Sequence, residues 1–98
     1  MNIQAMMKQA QKLQKDMINT QEEINKKEFT GKSSIITVKF NGKKELLNVT
    51  INADEIEKDD IELLQDMFMV AVNDAMKQID KEIESKMGAY TSGMPGLF

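Results

Sequence analysis

The sequence predicts a single α+β domain in which a long N-terminal helix and a long C-terminal helix flank a small antiparallel sheet. Three observations support this fold class: a helical periodicity from about Asn2 to Lys26, two β-rich runs between Ser34 and Ile51, and a second helical stripe that begins near Asp60. A chain of 98 residues, 41% of them hydrophobic, suits one domain with a modest core.

The first helix is predicted from apolar and small residues whose spacing alternates between three and four. We call these residues the seam: Ile3, Met6, Ala10, Leu13, Met17, Thr20 and Ile24. The helix contains neither Pro nor Gly, and its length is about 36 Å at 1.5 Å per residue. Since this exceeds the length of the sheet it could cover, we expect part of the helix to project or to pack on another subunit.

The sheet is predicted from a central β-hairpin at Asn41-Gly42, a pair typical of a two-residue type I′ turn with positive φ at both positions. Apolar residues alternate on both sides of this turn: Ile36, Val38 and Phe40 before it, and Leu47, Val49 and Ile51 after it. A short strand at Glu28 to Thr30 completes three antiparallel strands. Because a lone hairpin is marginally stable in water, the helices must cover its apolar face.

The second helix is predicted to begin after the acidic pair Asp59-Asp60 and to end at Gly88, a residue type that often terminates helices. Its segment 67–72 is apolar on nearly all sides, so we expect this to be its most buried part. The Gly- and Pro-containing residues that follow cannot continue a helix. We therefore expect one domain over residues 1–88 and a flexible tail over residues 89–98.

The charges divide the chain into two unlike halves. Residues 1–48 contain nine Lys and five acidic residues, a net charge of +4, whereas residues 49–98 contain four Lys and eleven acidic residues, a net charge of −7. Their sum is the overall net charge of −3. Such an asymmetry can mark an interaction face.

Several kinds of chemistry are disfavoured by composition. The chain contains no Cys and no His, which removes the usual general base and the usual zinc ligands. Gly31-Lys32-Ser33 has the ending of a phosphate-binding loop, but Lys26 stands where that motif needs its first Gly. No run approaches the length of a membrane span. We expect no enzyme activity, no cofactor or metal, no small-molecule substrate and no membrane association, in a protein of the cytoplasm.

Three lysines of the first helix follow helical spacing on the side opposite the seam. We call Lys8, Lys12 and Lys15 the basic ridge. Gln residues surround it and add neutral hydrogen-bonding groups. Either an anion-binding surface or an ordinary solvated helix face explains this pattern.

Short strings along the whole chain resemble the YbaB/EbfC family of bacterial nucleoid-associated proteins. The resemblance is carried by Met7 to Gln14 in the first helix, Phe29-Thr30-Gly31 in the first strand, Val38 to Lys43 in the hairpin, Asn73-Asp74-Ala75 in the second helix, and Lys86-Met87-Gly88 with Met94 to Phe98 at the end. It implies a homodimer that joins through its central strands and has projecting helices. It also implies binding of double-stranded DNA with little sequence preference, in the nucleoid, with effects on nucleoid organisation and gene expression.

The resemblance implies two sets of site residues. The DNA-binding set consists of the basic ridge, Lys8, Lys12 and Lys15, together with Lys26, Lys27, Lys32, Lys43 and Lys44. The dimer-interface set consists of Ile36, Val38, Phe40, Leu47 and Val49. The acidic second helix must face away from bound DNA, or it would cancel the attraction.

Two departures from the family pattern affect these expectations. Lys32-Ser33-Ser34 stands where the family often has a glycine-rich stretch, and the chain contains no Arg. Because Arg makes the bidentate contact to guanine, we expect Lys to contact the DNA backbone rather than base edges. The alternative function is a prefoldin-like or other protein-binding module that uses Met-rich helix surfaces.

Overall fold

The computed structural model describes residues 2–91 of the chain. Its elements, in order, are α1 (Ile3–Lys26), β1 (Glu28–Ser33), β2 (Ile36–Asn41), β3 (Leu46–Ile51), a 3₁₀ turn (Lys58–Asp60) and α2 (Ile61–Thr91). The α+β class, the three-stranded antiparallel sheet and the two long helices are confirmed.

The sheet has the strand order β1-β2-β3, with β2 in the centre. Phe29 of β1 pairs with Phe40 of β2, and Val38 of β2 pairs with Val49 of β3. Helix α2 packs across β1 and β2 and does not reach β3. The core lies under this helix and contains Phe29, Ile36, Val38, Phe40, Ala71, Ala75 and Ile79.

Gly31 allows α2 to lie directly against β1. A Cβ at this position would meet the backbone oxygen of Ala71 and lie 2.9 Å from the Cβ of Ala75. The close approach also lets α2 bind the outer edge of β1. Asp74 Oδ2 accepts a hydrogen bond from the backbone amide of Lys32 in β1 at 3.1 Å. Gln78 Nε2 donates a hydrogen bond to the backbone oxygen of Thr30, also in β1, at 2.8 Å.

The hairpin connection differs from the predicted two-residue turn. β2 extends through Asn41, whose Oδ1 accepts hydrogen bonds from the amides of Lys43 and Glu45, each at 3.0 Å. The positive φ belongs to Lys44, at 67°. Gly42 is required for another reason, because a Cβ there would meet the backbone oxygen of Ile24 at the end of α1. The type I′ prediction is therefore wrong, and the connection spans residues 42–45.

Two predictions about α2 are also wrong. The helix continues through Gly88 to Thr91, so the part of the predicted tail that the structure describes is helical, and residues 92–98 lie outside the described residues. The segment 67–72 is not the most buried part, since Met69 and Val70 are 55% and 56% exposed. One side of α2 covers the sheet, and the opposite side of this apolar segment remains in solvent.

Candidate nucleic-acid interface

The N-terminal part of α1 projects from the domain. Every residue from Ile3 to Asp16 is exposed, and we call this segment the arm. Asn2 is the N-cap of the helix, and its Oδ1 accepts hydrogen bonds from the amides of the second and third helical residues, Gln4 and Ala5. The expectation that part of α1 projects is met within the single chain.

The base of the arm is held by the end of α2. Thr20 Oγ1 lies 3.3 Å from Tyr90 Oη, and Met87 is buried beside this junction at 6% exposure. Lys27, just after α1, pairs with Glu82 eight residues before Tyr90, so the two helices run antiparallel. The part of α1 that follows the arm therefore packs against the end of α2.

The basic ridge lies on this arm. All three ridge lysines are exposed, and none forms an ion pair with any described carboxylate. The sequence from Asn2 to Lys15 contains no acidic residue. Asp16 follows Lys15 and is the one acidic residue of the arm, so the three lysines leave the arm with a net positive charge.

Two of the other candidate lysines are paired with α2. Lys27 Nζ lies 3.0 Å from Glu82 Oε1 and 5.5 Å from the centre of the Phe29 ring. Lys44 Nζ lies 3.1 Å from Asp80 Oδ1. The acidic helix thus reaches the basic end of the sheet, contrary to the expectation that it faces away there.

Glu82 forms the centre of a small charged cluster. Its pKa is held below the ordinary carboxyl value by hydrogen bonds, first from Lys86 at 2.7 Å and then from Lys27. The same hydrogen bond with Glu82 raises the pKa of Lys86. The Glu82 carboxylate therefore lies between the amino groups of Lys86 and Lys27 and pairs with both.

The remaining candidate lysines also have acidic neighbours. Lys26 and Lys43 line an open cleft of about 540 Å³ between the end of α1 and the hairpin, together with Glu22, Glu28 and Glu45. Lys32 is exposed, but Asp74 binds its backbone amide. The structure therefore separates the eight lysines into a ridge without ion pairs to described carboxylates and a sheet group whose charge is partly balanced.

The acidic start of α2 lies at the other end of the molecule. Leu63 and Met67 near this start pack beside Ser34 and Ile35 in the β1–β2 turn, whereas Tyr90 at the other end contacts α1. The molecule is 72 Å long, and its N-terminal arm and this acidic end are separated along that length. The acidic residues there are Asp54, Glu55, Glu57, Asp59, Asp60, Glu62 and Asp66. Because these carboxylates lie far from the arm, they do not cancel the positive electrostatic field of its lysines.

The predicted dimer-interface residues fall into two groups. Ile36, Val38 and Phe40 are 1%, 0% and 5% exposed, because α2 covers them. Residues buried in this way do not line the surface of the chain. Leu47 and Val49 are 49% and 39% exposed on β3.

Two further residues extend the exposed part. Leu46 and Ile51 are 47% and 43% exposed, and with Leu47 and Val49 they form what we call the β3 surface. The alternation in the sequence includes Ile51. It misses Leu46, because a register shift between Lys39 and Phe40 brings Leu46 rather than Leu47 opposite Phe40.

Helix α2 adds apolar groups beside the β3 surface. Met69 lies three turns before Asp80 on the side of α2 that meets Lys44 in the β2–β3 loop, and it is 55% exposed. Phe68 next to it is 36% exposed. The side of α2 that faces the β2–β3 loop therefore also exposes apolar groups.

The described residues give no support for a membrane span or a metal centre. None of the helices in residues 2–91 has the length and apolar character needed to cross a bilayer. The same residues contain no group of three or more acidic side chains arranged to hold a metal ion.

The fold has a counterpart among solved structures. The crystal structure of an uncharacterized protein from Helicobacter pylori matches with a TM-score of 0.73, covering 92% of this chain and 97% of that chain. The two sequences are 23% identical. At this identity the likeness concerns the fold.

Sequence comparisons reach further. The chain is 53% identical to a nucleoid-associated protein of Lactococcus lactis subsp. cremoris, over 97% of this chain and 98% of the relative. It is 44% identical to a nucleoid-associated protein of Enterococcus faecalis, over 98% of this chain and 94% of the relative. The profile of the YbaB/EbfC DNA-binding family matches residues 1–94. The chain therefore belongs to the YbaB/EbfC DNA-binding family.

Proposed function

We propose that this chain is a nucleoid-associated protein that binds duplex DNA as a homodimer, mainly through the phosphate backbone. The observation that carries the proposal is the basic ridge on the projecting arm, where three exposed lysines form no ion pair with a described carboxylate. The protein acts in the nucleoid, within the cytoplasm, and influences nucleoid organisation and gene expression.

The ridge suits phosphates better than base edges. Lys8 and Lys15 are about 10 Å apart along the helix axis, and a DNA strand carries one phosphate per roughly 3.4 Å of duplex axis. The ridge therefore spans about three phosphates of one strand. Lysine supplies a point charge without the planar fork of arginine, so the contacts discriminate little between sequences.

The β3 edge supplies the surface for a second copy. The edge of β1 is bound by Asp74 and Gln78, whereas no described residue forms a hydrogen bond with the outer edge of β3. An exposed edge strand with apolar side chains readily pairs with another strand. Pairing of two β3 strands would give a continuous six-stranded sheet, bury both β3 surfaces and present two basic ridges, which together hold six lysines.

The sheet lysines make a smaller contribution in this proposal. Lys27 and Lys44 would have to leave Glu82 and Asp80 before contacting phosphate. Exposed ion pairs contribute at most about 1 kcal/mol each, so this step is accessible but reduces the gain. DNA affinity therefore depends first on the ridge.

A charge-matched pair of triple variants tests the proposal. One variant changes the ridge, with Lys8→Gln, Lys12→Gln and Lys15→Gln, and the control changes three lysines of the acidic half, with Lys58→Gln, Lys77→Gln and Lys81→Gln. Both lose three positive charges per chain. Affinity for a labelled random duplex is measured at one fixed salt concentration of about 150 mM, because affinity that arises from phosphate contacts depends steeply on salt.

We expect the ridge variant to lose at least about a hundredfold in affinity and the control much less. Circular dichroism and dimer mass should match the unsubstituted protein for both variants. Equal losses in the two variants would show that only the net charge matters and would contradict a ridge site. Binding of an unfolded client protein, with no affinity for DNA, would favour the prefoldin-like alternative.

A further inference from the structure

We propose that residues 93–98 of the same chain pack on the seam of the arm, on the side opposite the basic ridge. The inference concerns the arm itself and does not depend on DNA binding. It rests on an uncovered apolar groove, on the register of the two helices and on the chemistry of the residues that follow α2.

The arm carries an apolar face that no described residue covers. Ile3, Met6 and Leu13 of the seam are 70%, 53% and 42% exposed. A shallow groove of about 310 Å³ lies on this face, lined by Ala10, Leu13, Gln14 and Met17. Seam residues nearer the domain behave differently, since Ile24 is fully buried. The same stripe is thus covered at its base and open along the arm.

The register of the helices brings the end of α2 to the base of this groove. Tyr90 contacts Thr20, and α2 ends at Thr91. Because the two helices are antiparallel, continuing past Thr91 leads toward Met17 and then Leu13. Leu13 is about 10 Å from Thr20 along α1. Seven residues follow Thr91, and when extended they reach about 23 Å, which covers the whole groove.

The chemistry of the following residues matches the groove. Residues 92–98 read Ser-Gly-Met-Pro-Gly-Leu-Phe and carry no charged side chain. Met94, Leu97 and Phe98 can bury apolar surface, while Gly and Pro favour an extended segment over further turns of α2. The groove is flanked by the neutral residues Gln9 and Gln14. An uncharged segment therefore fits this face, whereas the ridge on the other side stays free.

Engineered cysteines test this placement directly, because the chain has no native Cys. Leu13→Cys is combined with Leu97→Cys in the full chain. The matched control combines Lys12→Cys, on the opposite side of the arm, with the same Leu97→Cys. Mild oxidation is followed by mass measurement and non-reducing electrophoresis, with circular dichroism to verify that both variants are folded.

We expect the Leu13 pair to form a within-chain disulfide at least about tenfold faster than the Lys12 pair, because docking raises the effective concentration above that of a free tether. Equal rates would overturn the proposal. A disulfide between two chains would also overturn it, since the seam would then be covered by a second copy.

A second variant gives a readout without cysteines. Leu97→Ser combined with Phe98→Ser should lower the Tm by about 5 °C or more, because two apolar side chains lose their buried contacts. An unchanged Tm would contradict packing of this segment on the arm.

Discussion

Substitution of Gly31 by Ala should displace α2 from the sheet. The added Cβ would meet the backbone oxygen of Ala71 and lie 2.9 Å from the Cβ of Ala75. The first neighbour is backbone and cannot turn away by changing a rotamer. Helix α2 must therefore move as a body, which would strain its hydrogen bonds to Lys32 and Thr30 on the edge of β1.

The size of the effect follows from two opposing contributions. Overpacking of a close contact costs about 1–3 kcal/mol, with the upper part of the range expected where backbone must move. Replacing Gly by Ala also reduces the entropy of the unfolded chain, which offsets roughly 0.4–1 kcal/mol. The net destabilisation is about 2 kcal/mol, and for a domain of this size the Tm should fall by roughly 8–16 °C.

Gly88 provides the matched control. It lies within α2, and a Cβ there would meet nothing within 4 Å. Gly88→Ala should therefore stabilise the helix by about 0.5–1 kcal/mol. The two variants make the same chemical change and should shift the Tm in opposite directions.

Thermal unfolding followed by circular dichroism measures both effects. All samples need the same protein concentration, because the Tm of a protein that dimerises, as proposed here, depends on concentration. A Gly31→Ala protein as stable as the unsubstituted chain would refute the close approach of α2 to β1. A destabilised Gly88→Ala protein would refute the uninterrupted course of α2.

Three further predictions concern the proposed dimer, the hairpin charges and pH. Val49→Asn should weaken the proposed dimer roughly tenfold, as measured by sedimentation equilibrium. Val49 is 39% exposed, and burying that surface in the dimer contributes about 0.6 kcal/mol of association free energy per copy. The control Thr50→Asn, on the other face of β3, should leave the dimer mass unchanged. Asp80→Asn should release Lys44 and raise DNA affinity a few-fold if the hairpin contacts DNA, and titrations that show no gain would remove Lys44 from the site. The lowered pKa of Glu82 stabilises the folded chain above pH 4.5, the ordinary carboxyl value, and this stability is lost as pH falls through the folded pKa. The raised pKa of Lys86 stabilises the folded chain below pH 10.5, the ordinary lysine value, and this stability is lost as pH rises through the folded pKa. Urea unfolding of Glu82→Gln should therefore converge with the unsubstituted protein in acid and differ from it at neutral pH.

The periodic parts of the fold could be predicted from the sequence. The seam of α1 and the alternation of Ile36, Val38 and Phe40 identified the first helix and the central strand. Burial explains the alternation in β2, whereas most of the seam is exposed on the arm. The Asn41-Gly42 pair correctly indicated a hairpin but misled about its turn. Local rules assign Gly to a positive φ, whereas here Gly42 is small because α1 approaches it from elsewhere in the chain.

Features that depend on tertiary contacts were not predictable. Glycine often terminates helices, and the sequence therefore predicted that α2 ends at Gly88. The helix continues to Thr91 because its last turns pack on α1, where Tyr90 contacts Thr20. The basic ridge was identified from spacing alone. Its separation from the sheet lysines was not, since the pairing of Lys27 and Lys44 with α2 joins residues far apart in sequence.

The salt dependence of DNA affinity tests the central proposal most directly. The affinity of the purified protein for a random duplex is measured across a salt series, and the dimer mass is determined on the same samples. Six ridge lysines in a dimer, each neutralising one phosphate, predict a slope of roughly −5 for log K against log salt. A slope near zero, or no binding even at low salt, would contradict backbone binding by the basic ridge.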